Sequence, residues 1–147
     1  MINDGMNSFL FSTPEMSRVF SSAEQLRAMT RFEWALSCAL EKNGRAEAGS
    51  GAVLEHLLTT DFVDMRALAL EAKEAGNVAI PFVRQLTAAV MARSEAAARS
   101  VHMGATSQDV LDTALVLQMR AVQPCCCSSR SFAGGGNIDG EGSANPH

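Results

Sequence analysis

Residues 101–115 read Val-His-Met-Gly-Ala-Thr-Ser-Gln-Asp-Val-Leu-Asp-Thr-Ala-Leu, a stretch that places a His, a Gly, a Thr-Ser pair and a carboxylate where a helix should begin. Thr106 and Ser107 are residue types that cap helix N-termini, and Asp109 stands three positions after Thr106, close to capping-box spacing. A helix N-terminus with hydroxyls and free backbone N–H groups suits an anion such as a substrate carboxylate. Capping alone explains the same residues, so both interpretations stay open at this point.

Hydrophobic periodicity outside this stretch predicts further helices, with no strand pattern and no internal repeat. Helices are expected at about residues 23–43, 52–59, 64–75, 81–100 and 106–122. Gly44 and the pair Gly76-Asn77 are stop signals, and Pro81 is expected at the first position of its helix. The sequence therefore predicts an all-α domain of about five helices.

The predicted helix over residues 23–43 begins at a capping pattern that starts with Ser22. Its apolar side is marked by residues such as Met29 and Leu40 at helical spacing. Glu33 and Arg31 are interpreted as solvated charges on this helix. In the helix that starts at Asp64, Met65 and Leu68 are expected to point inward.

The residues His102, Gly104, Thr106, Ser107, Asp109, Asp112 and Thr113 resemble the H-x-G-x-T-S-x-D-x-x-D-T signature of the fumarase/aspartase superfamily. Residues 11–21 (FSTPEMSRVFS) and 75–83 (AGNVAIPFV) are similar to the opening and to the G-N-x-A-I-P-x-V loop of its 3-carboxy-cis,cis-muconate cycloisomerase family. The resemblance runs from about Phe9 to Gln123. It implies the N-terminal helical domain of the fumarase/aspartase-type fold, truncated where the central helical bundle starts.

The resemblance implies an intramolecular lyase, or cycloisomerase, that closes 3-carboxy-cis,cis-muconate to carboxymuconolactone in the protocatechuate branch of the β-ketoadipate pathway of aromatic catabolism. It implies a small-molecule carboxylate as substrate and no cofactor. The substrate-binding residues that it implies are His102, Thr106, Ser107, Gln108, Asp109 and, on a neighbouring loop, Asn77.

The family's catalytic serine lies in a G-S-S-x-M-P-x-K-x-N-P loop that this sequence does not contain. We therefore assign no catalytic residue and expect the chain to be an inactive fragment on its own. The family is homotetrameric through the missing bundle, so a tetramer is not expected of this chain.

Two alternatives stay open. One is an adenylosuccinate lyase-like C–N lyase fragment, for which Arg18 is the only candidate phosphate ligand near the start of the chain. The other is a non-catalytic helical association module, because the helix after Val110 is apolar on several sides and expects packing partners.

The character of the sequence divides the chain into three parts. Residues 1–8 are polar and expected to be flexible, and residues 9–123 form the helical domain. Residues 124–147 are rich in Gly, Ser and Cys and are expected to be a disordered tail, translated out of frame. The tail's three adjacent cysteines, Cys125 to Cys127, lack the spacing of zinc ligands, so no metal is expected.

Composition narrows the remaining function classes. A net charge of −4, without a basic stripe, argues against nucleic acid as a partner. No apolar run is long enough to cross a membrane, and no secretory signal is recognised. The expected location is the cytoplasm.

Overall fold

The structure, a computed structural model, describes the backbone of residues 12–129 and the side chains of residues 12–122. Within this range the secondary structure consists of helices and turns, which confirms the all-α prediction. The helices are α1 (Pro14–Val19), α2 (Ser22–Lys42), α3 (Ser50–Glu55), α4 (Met65–Ala75), α5 (Ala79–Met91), α6 (Glu95–Ala98) and α7 (Ser107–Ser129).

The long helix α2 organises the packing, because both α7 and α3 lie against it. Helix α5 forms the second centre and contacts α4, α6 and α7. Side chains from all of these helices meet in one apolar core. Its fully buried large members are Met29, Leu54, Phe82, Leu86, Val90 and Val110.

The predicted helix over residues 81–100 is wrong as a single element, because the chain forms α5 and α6 with a break between them. Ser94 makes the break by accepting a hydrogen bond from the Ala97 N–H at 3.2 Å, which starts a new helix. Pro81 stands at the third position of α5 rather than the first. A first-turn position tolerates proline because its N–H would have no acceptor within the helix.

Other helix boundaries also differ from the sequence prediction. Helix α3 ends at Glu55, four residues before the predicted end, and α1 was not predicted. Ser21 rather than Ser22 caps α2, by accepting a hydrogen bond from the Glu24 N–H. Asp64 and Gly76 cap the two ends of α4 as expected, but Met65 is about half exposed rather than inward-facing.

Helix α7 is longer than predicted, since its backbone is helical through Ser129. Residues 124–129, which we expected to belong to a disordered tail, are therefore helical. Residues 1–8 and 130–147 lie outside the described residues, so the division of the chain into three parts stays a prediction.

Helix α7 has two different apolar sides. Val110 and Ala114 are fully buried in the core, whereas Leu115, Val116 and Met119 are each about half exposed. An apolar helix side that is exposed to solvent is typical of a surface that packs against another element in a larger fold. Among the described residues no helix combines the length and the apolar character that membrane crossing requires.

Candidate functional site

The beginning of α7 is held by a reciprocal pair of hydrogen bonds between Thr106 and Asp109. The Thr106 hydroxyl accepts from the Asp109 N–H at 3.3 Å. The Asp109 carboxylate in turn accepts from the Thr106 N–H at 2.8 Å and from its hydroxyl at 2.7 Å. This arrangement is a capping box, and it confirms the cap predicted from the sequence.

The same contacts determine the charge state of Asp109. The hydrogen bonds from the Thr106 hydroxyl and N–H lower the pKa of the Asp109 carboxyl below its usual value, and the nearby His102 lowers it further. The carboxylate is therefore ionised at neutral pH and is occupied with the cap. Thr106 and Asp109 thus have a demonstrable structural task, whatever ligand the site holds.

The groups that remain available for a ligand are those of Ser107 and Gln108. Their backbone N–H groups make no hydrogen bond within the described part of the chain, as expected in a first helical turn. The Ser107 hydroxyl likewise has no partner there, whereas the Gln108 side chain donates to Asp112 at 2.5 Å. Two backbone donors and one hydroxyl at the positive end of a 23-residue helix form a donor set suited to a carboxylate.

His102 precedes this helix and adopts an unusual backbone conformation. Its φ angle is +58°, in the left-handed region that costs a non-glycine residue about 1–2 kcal/mol. Two hydrogen bonds to Glu33 hold it there. The Glu33 carboxylate accepts from the His102 N–H at 2.8 Å and lies 2.7 Å from the ring Nδ1.

Glu33 is fully buried on α2, so the interpretation of this residue as a solvated charge is wrong. It lies four residues after Met29 and seven before Leu40, and therefore on the apolar side of the helix that the sequence analysis identified. A charged residue at that register was the signal that could have revealed it, since buried charges require partners.

A second buried contact fixes the loop that carries His102. The hydroxyls of Ser37 and Ser100 lie 3.1 Å apart, and Ser100 also donates to the Ala97 carbonyl at 2.7 Å. Ser37 lies one turn after Glu33, so the same face of α2 contacts the loop at two points. The loop that leads into α7 is therefore held against α2.

Asn77 is not linked to this cluster by any hydrogen bond within the described residues. Its side chain accepts from the Ile80 N–H at 3.2 Å and so supports the start of α5. The family resemblance implies that Asn77 lies in the same cleft as residues 102–109, and that placement stays a prediction.

The structure also has a separate groove between α1, α2 and α7, with a volume of about 360 Å³. Three arginines line it, Arg18, Arg27 and Arg31, together with Glu24, which pairs with Arg27. None of the six predicted substrate-binding residues lines this groove. No group of three potential metal-ligating side chains occurs among residues 12–122.

No family model matches the chain. Individual relatives do, and several of them carry the same enzyme name. The chain is 44% identical over 113 residues to the 3-carboxy-cis,cis-muconate cycloisomerase of Acinetobacter baylyi, covering 76% of this chain and 25% of that protein. Identity to the Pseudomonas putida enzyme of the same name is 40% over 110 residues, 75% of this chain and 26% of that protein. An adenylosuccinate lyase of Archaeoglobus fulgidus is more distant, at 33% over 115 residues.

Solved structures agree with these relatives. The crystal structure of the 3-carboxy-cis,cis-muconate lactonizing enzyme of Pseudomonas putida matches with a TM-score of 0.78 and 36% identity, over 84% of this chain and 28% of that one. The β-carboxy-cis,cis-muconate cycloisomerase of Acinetobacter calcoaceticus gives a TM-score of 0.74 and 39% identity. The chain spans about a quarter of the length of the curated relatives that it matches. By sequence and by fold, the chain is similar to the N-terminal helical part of the 3-carboxy-cis,cis-muconate cycloisomerases.

Proposed function

We propose that residues 12–122 supply the substrate-carboxylate-binding part of a 3-carboxy-cis,cis-muconate cycloisomerase. The observation that carries this proposal is the donor set at the start of α7, where the Ser107 hydroxyl and the N–H groups of Ser107 and Gln108 have no partner within the described residues. His102, five residues before Ser107, is held by two hydrogen bonds to Glu33. Relatives that are up to 44% identical to this chain over the aligned segment carry this activity in their names.

The reaction explains why such donors are useful. One carboxylate oxygen of the substrate forms a C–O bond to the substrate's own double bond, and a proton is delivered to the neighbouring carbon, so the product acid is an isomer of the substrate acid. The intermediate is a carbanion next to a carboxylate, and its charge spreads onto the carboxylate oxygens. Fixed hydrogen-bond donors at those oxygens stabilise the charge where it develops.

The roles of the individual residues follow from their contacts. Ser107 and Gln108 offer donors to the carboxylate, and His102 is the polar side chain in the loop that precedes them. Thr106 and Asp109 act through the capping box, which holds the donors in place. Asn77 acts from the start of α5. The site needs no cofactor, and the expected setting is a cytoplasmic enzyme.

Turnover requires more than this chain contains. The family's catalytic serine loop is absent from the sequence, and the curated relatives are about four times as long as the matching segment. We therefore expect the 147-residue chain to bind the carboxylate substrate without converting it. In the full-length relative, the exposed side of α7 that carries Leu115, Val116 and Met119 is expected to be covered by the subunits of a homotetramer.

A binding experiment with a matched pair of variants tests the proposal. Ser107 and Ser22 both occupy the first position of a helix, and neither hydroxyl has a hydrogen-bond partner within the described residues. We expect Ser107→Ala to weaken binding of 3-carboxy-cis,cis-muconate by about ten-fold, the effect of one hydrogen bond to a charged group. Ser22→Ala should leave it unchanged.

Calorimetric titration of the wild type and the two variants gives the result. Equal weakening by both variants, or no saturable binding by the folded wild type, would contradict the proposed site. Tighter binding of adenylosuccinate than of 3-carboxy-cis,cis-muconate would favour the C–N lyase alternative instead.

A further inference from the structure

The Glu33 carboxylate makes two hydrogen bonds to one residue, and each of its oxygens takes part in one of them. Oε2 accepts from the His102 backbone N–H, and Oε1 lies 2.7 Å from the ring Nδ1. We infer that Glu33 is a positioning residue that places the His102 proton on Nδ1 and leaves Nε2 as the nitrogen that faces a ligand. The inference about the ring stands on geometry alone, and its catalytic meaning rests on the function proposed above.

Hydrogen-bond donors and acceptors decide where the ring proton lies. With Glu33 accepting both contacts, the ring nitrogen that lies 2.7 Å from its Oε1 carries the hydrogen. The partner of one imidazole nitrogen decides which tautomer the neutral ring adopts. Nδ1 is therefore protonated whether the ring is neutral or charged.

The His102 ring has little freedom to turn. Glu33 is completely buried, and only 22% of the His102 side chain is exposed. The Ser37–Ser100 contact, two residues before His102, and the hydrogen bond from the His102 N–H to Glu33 fix the backbone that carries the ring. A ring flip would place a carbon against the Glu33 carboxylate and forfeit the hydrogen bond. The orientation is therefore determined by α2, from 69 residues away in the sequence.

The other ring nitrogen, Nε2, takes no part in the Glu33 contact. It has no hydrogen-bond partner within the described part of the chain, where no buried side-chain nitrogen or oxygen lacks one. Nε2 is therefore accessible to solvent. In the neutral ring this atom has a lone pair, so His102 presents an acceptor to the site. It becomes a donor to a carboxylate only after taking up a second proton, and the Glu33 carboxylate then balances the imidazolium charge.

The proton position is measured by ¹⁵N NMR of the histidine rings in the ligand-free, full-length chain, at a pH where the rings are neutral. The sequence has three histidines, and the exposed His56 provides an internal reference. A His102→Gln variant assigns the signals by their loss. In the wild type we expect the His102 Nδ1 resonance at the position of a protonated nitrogen and Nε2 at that of an unprotonated one.

The Glu33→Gln variant then separates proton placement from packing, because its side chain has nearly the same shape. An amide has one oxygen and one NH₂ group, so its oxygen can serve the His102 N–H while its NH₂ faces Nδ1. We expect the two resonances to exchange positions, with the proton now on Nε2. Glu41→Gln is the control, since Glu41 lies on the same helix and each of its carboxylate oxygens accepts one hydrogen bond, from the N–H groups of Gly49 and Gly51. It should leave the His102 resonances unchanged.

A wild-type ring protonated on Nε2 alone would overturn the inference, and so would a folded Glu33→Gln variant that keeps the proton on Nδ1. If Glu33→Gln does not fold, the wild-type spectrum still decides where the proton lies. Neither measurement involves a ligand. A failure of the proposed substrate site in the binding experiment is therefore distinct from a failure here.

Discussion

Gly51 lies so close to Cys38 that a Cβ on the glycine would stand 2.5 Å from the cysteine Sγ. The contact brings the start of α3 against α2, and Glu41 on α2 completes it by accepting hydrogen bonds from the N–H groups of Gly49 and Gly51 at 2.8 and 3.1 Å. Helix α2 thus holds α3 on one part of its surface and the His102 loop on another. The position of α2 therefore determines where α3 and the His102 loop lie.

Gly51→Ala should lower the free energy of unfolding by about 2 kcal/mol, because the added methyl group overlaps the Cys38 sulfur in a closely packed interface. The double variant Cys38→Ala/Gly51→Ala removes the obstructing sulfur and should recover most of that loss relative to Cys38→Ala alone. Urea unfolding of the four proteins gives the coupling energy. Simple addition of the two single effects would show that the two residues are not in contact.

Glu33→Ala should be among the most destabilising single changes in the chain. It leaves the His102 N–H and Nδ1 without their acceptor and opens a cavity beside α2, at a cost of about 3 kcal/mol. Glu33→Gln retains one acceptor and the side-chain volume, and it should cost about 1 kcal/mol. Urea denaturation measures both, and an equal loss for the two variants would mean that neither the side-chain volume nor the retained acceptor contributes to stability.

Two valines on α7 test how this helix is oriented. Val110 is fully buried and Val116 is 52% exposed. Val110→Ala should cost about 2 kcal/mol through lost burial and the cavity left behind. Val116→Ala should change stability by less than about 0.5 kcal/mol, because alanine is the better helix former. Thermal or urea unfolding that ranks the two variants in the opposite order would contradict the packing described for α7.

Asp109 makes stability depend on pH in a defined direction. Its pKa is lower in the folded chain than the usual value of 3.8, through the hydrogen bonds from Thr106. A carboxyl of this kind stabilises the fold above its unfolded pKa, and the contribution disappears as the pH falls through the folded pKa. Asp109→Asn should therefore lose less stability than the wild type between pH 7 and about pH 3.

Asp61→Asn is the matched control, because the exposed Asp61 makes no hydrogen bond within the described residues. Its unfolding midpoint should fall with pH as much as that of the wild type. If Asp109→Asn retained the full wild-type pH dependence, the capping box would have no part in the acid response.

Local rules predicted much of this domain. The Thr106–Asp109 box lies within four consecutive residues, and Asp64 and Gly76 delimit α4 by similarly local signals, so the sequence was sufficient for these features. The break after Met91 was missed because the sequence has no glycine or proline there, and only the Ser94 cap marks it.

Local sequence signals could not predict that Glu33 is the hydrogen-bond partner of His102. Glu33 and His102 are 69 residues apart, and only the packing of α2 against the loop before α7 brings them together. Pattern analysis identifies which face of a helix is buried but not which loop covers that face. The motif therefore singled out His102 as a candidate site residue, and the structure was needed to show which residue holds its ring.

The most direct test of the central claim is a chimera in which residues 12–122 of this chain replace the homologous N-terminal segment of the Acinetobacter baylyi cycloisomerase. Lactonisation of 3-carboxy-cis,cis-muconate is the readout, with Ser107→Ala and Ser22→Ala versions measured alongside. If residues 12–122 supply the carboxylate-binding donors, the chimera is active, and its kcat/KM falls about ten-fold with Ser107→Ala and is unchanged with Ser22→Ala. A chimera that folds and assembles like the parent enzyme but does not convert this substrate would contradict that claim.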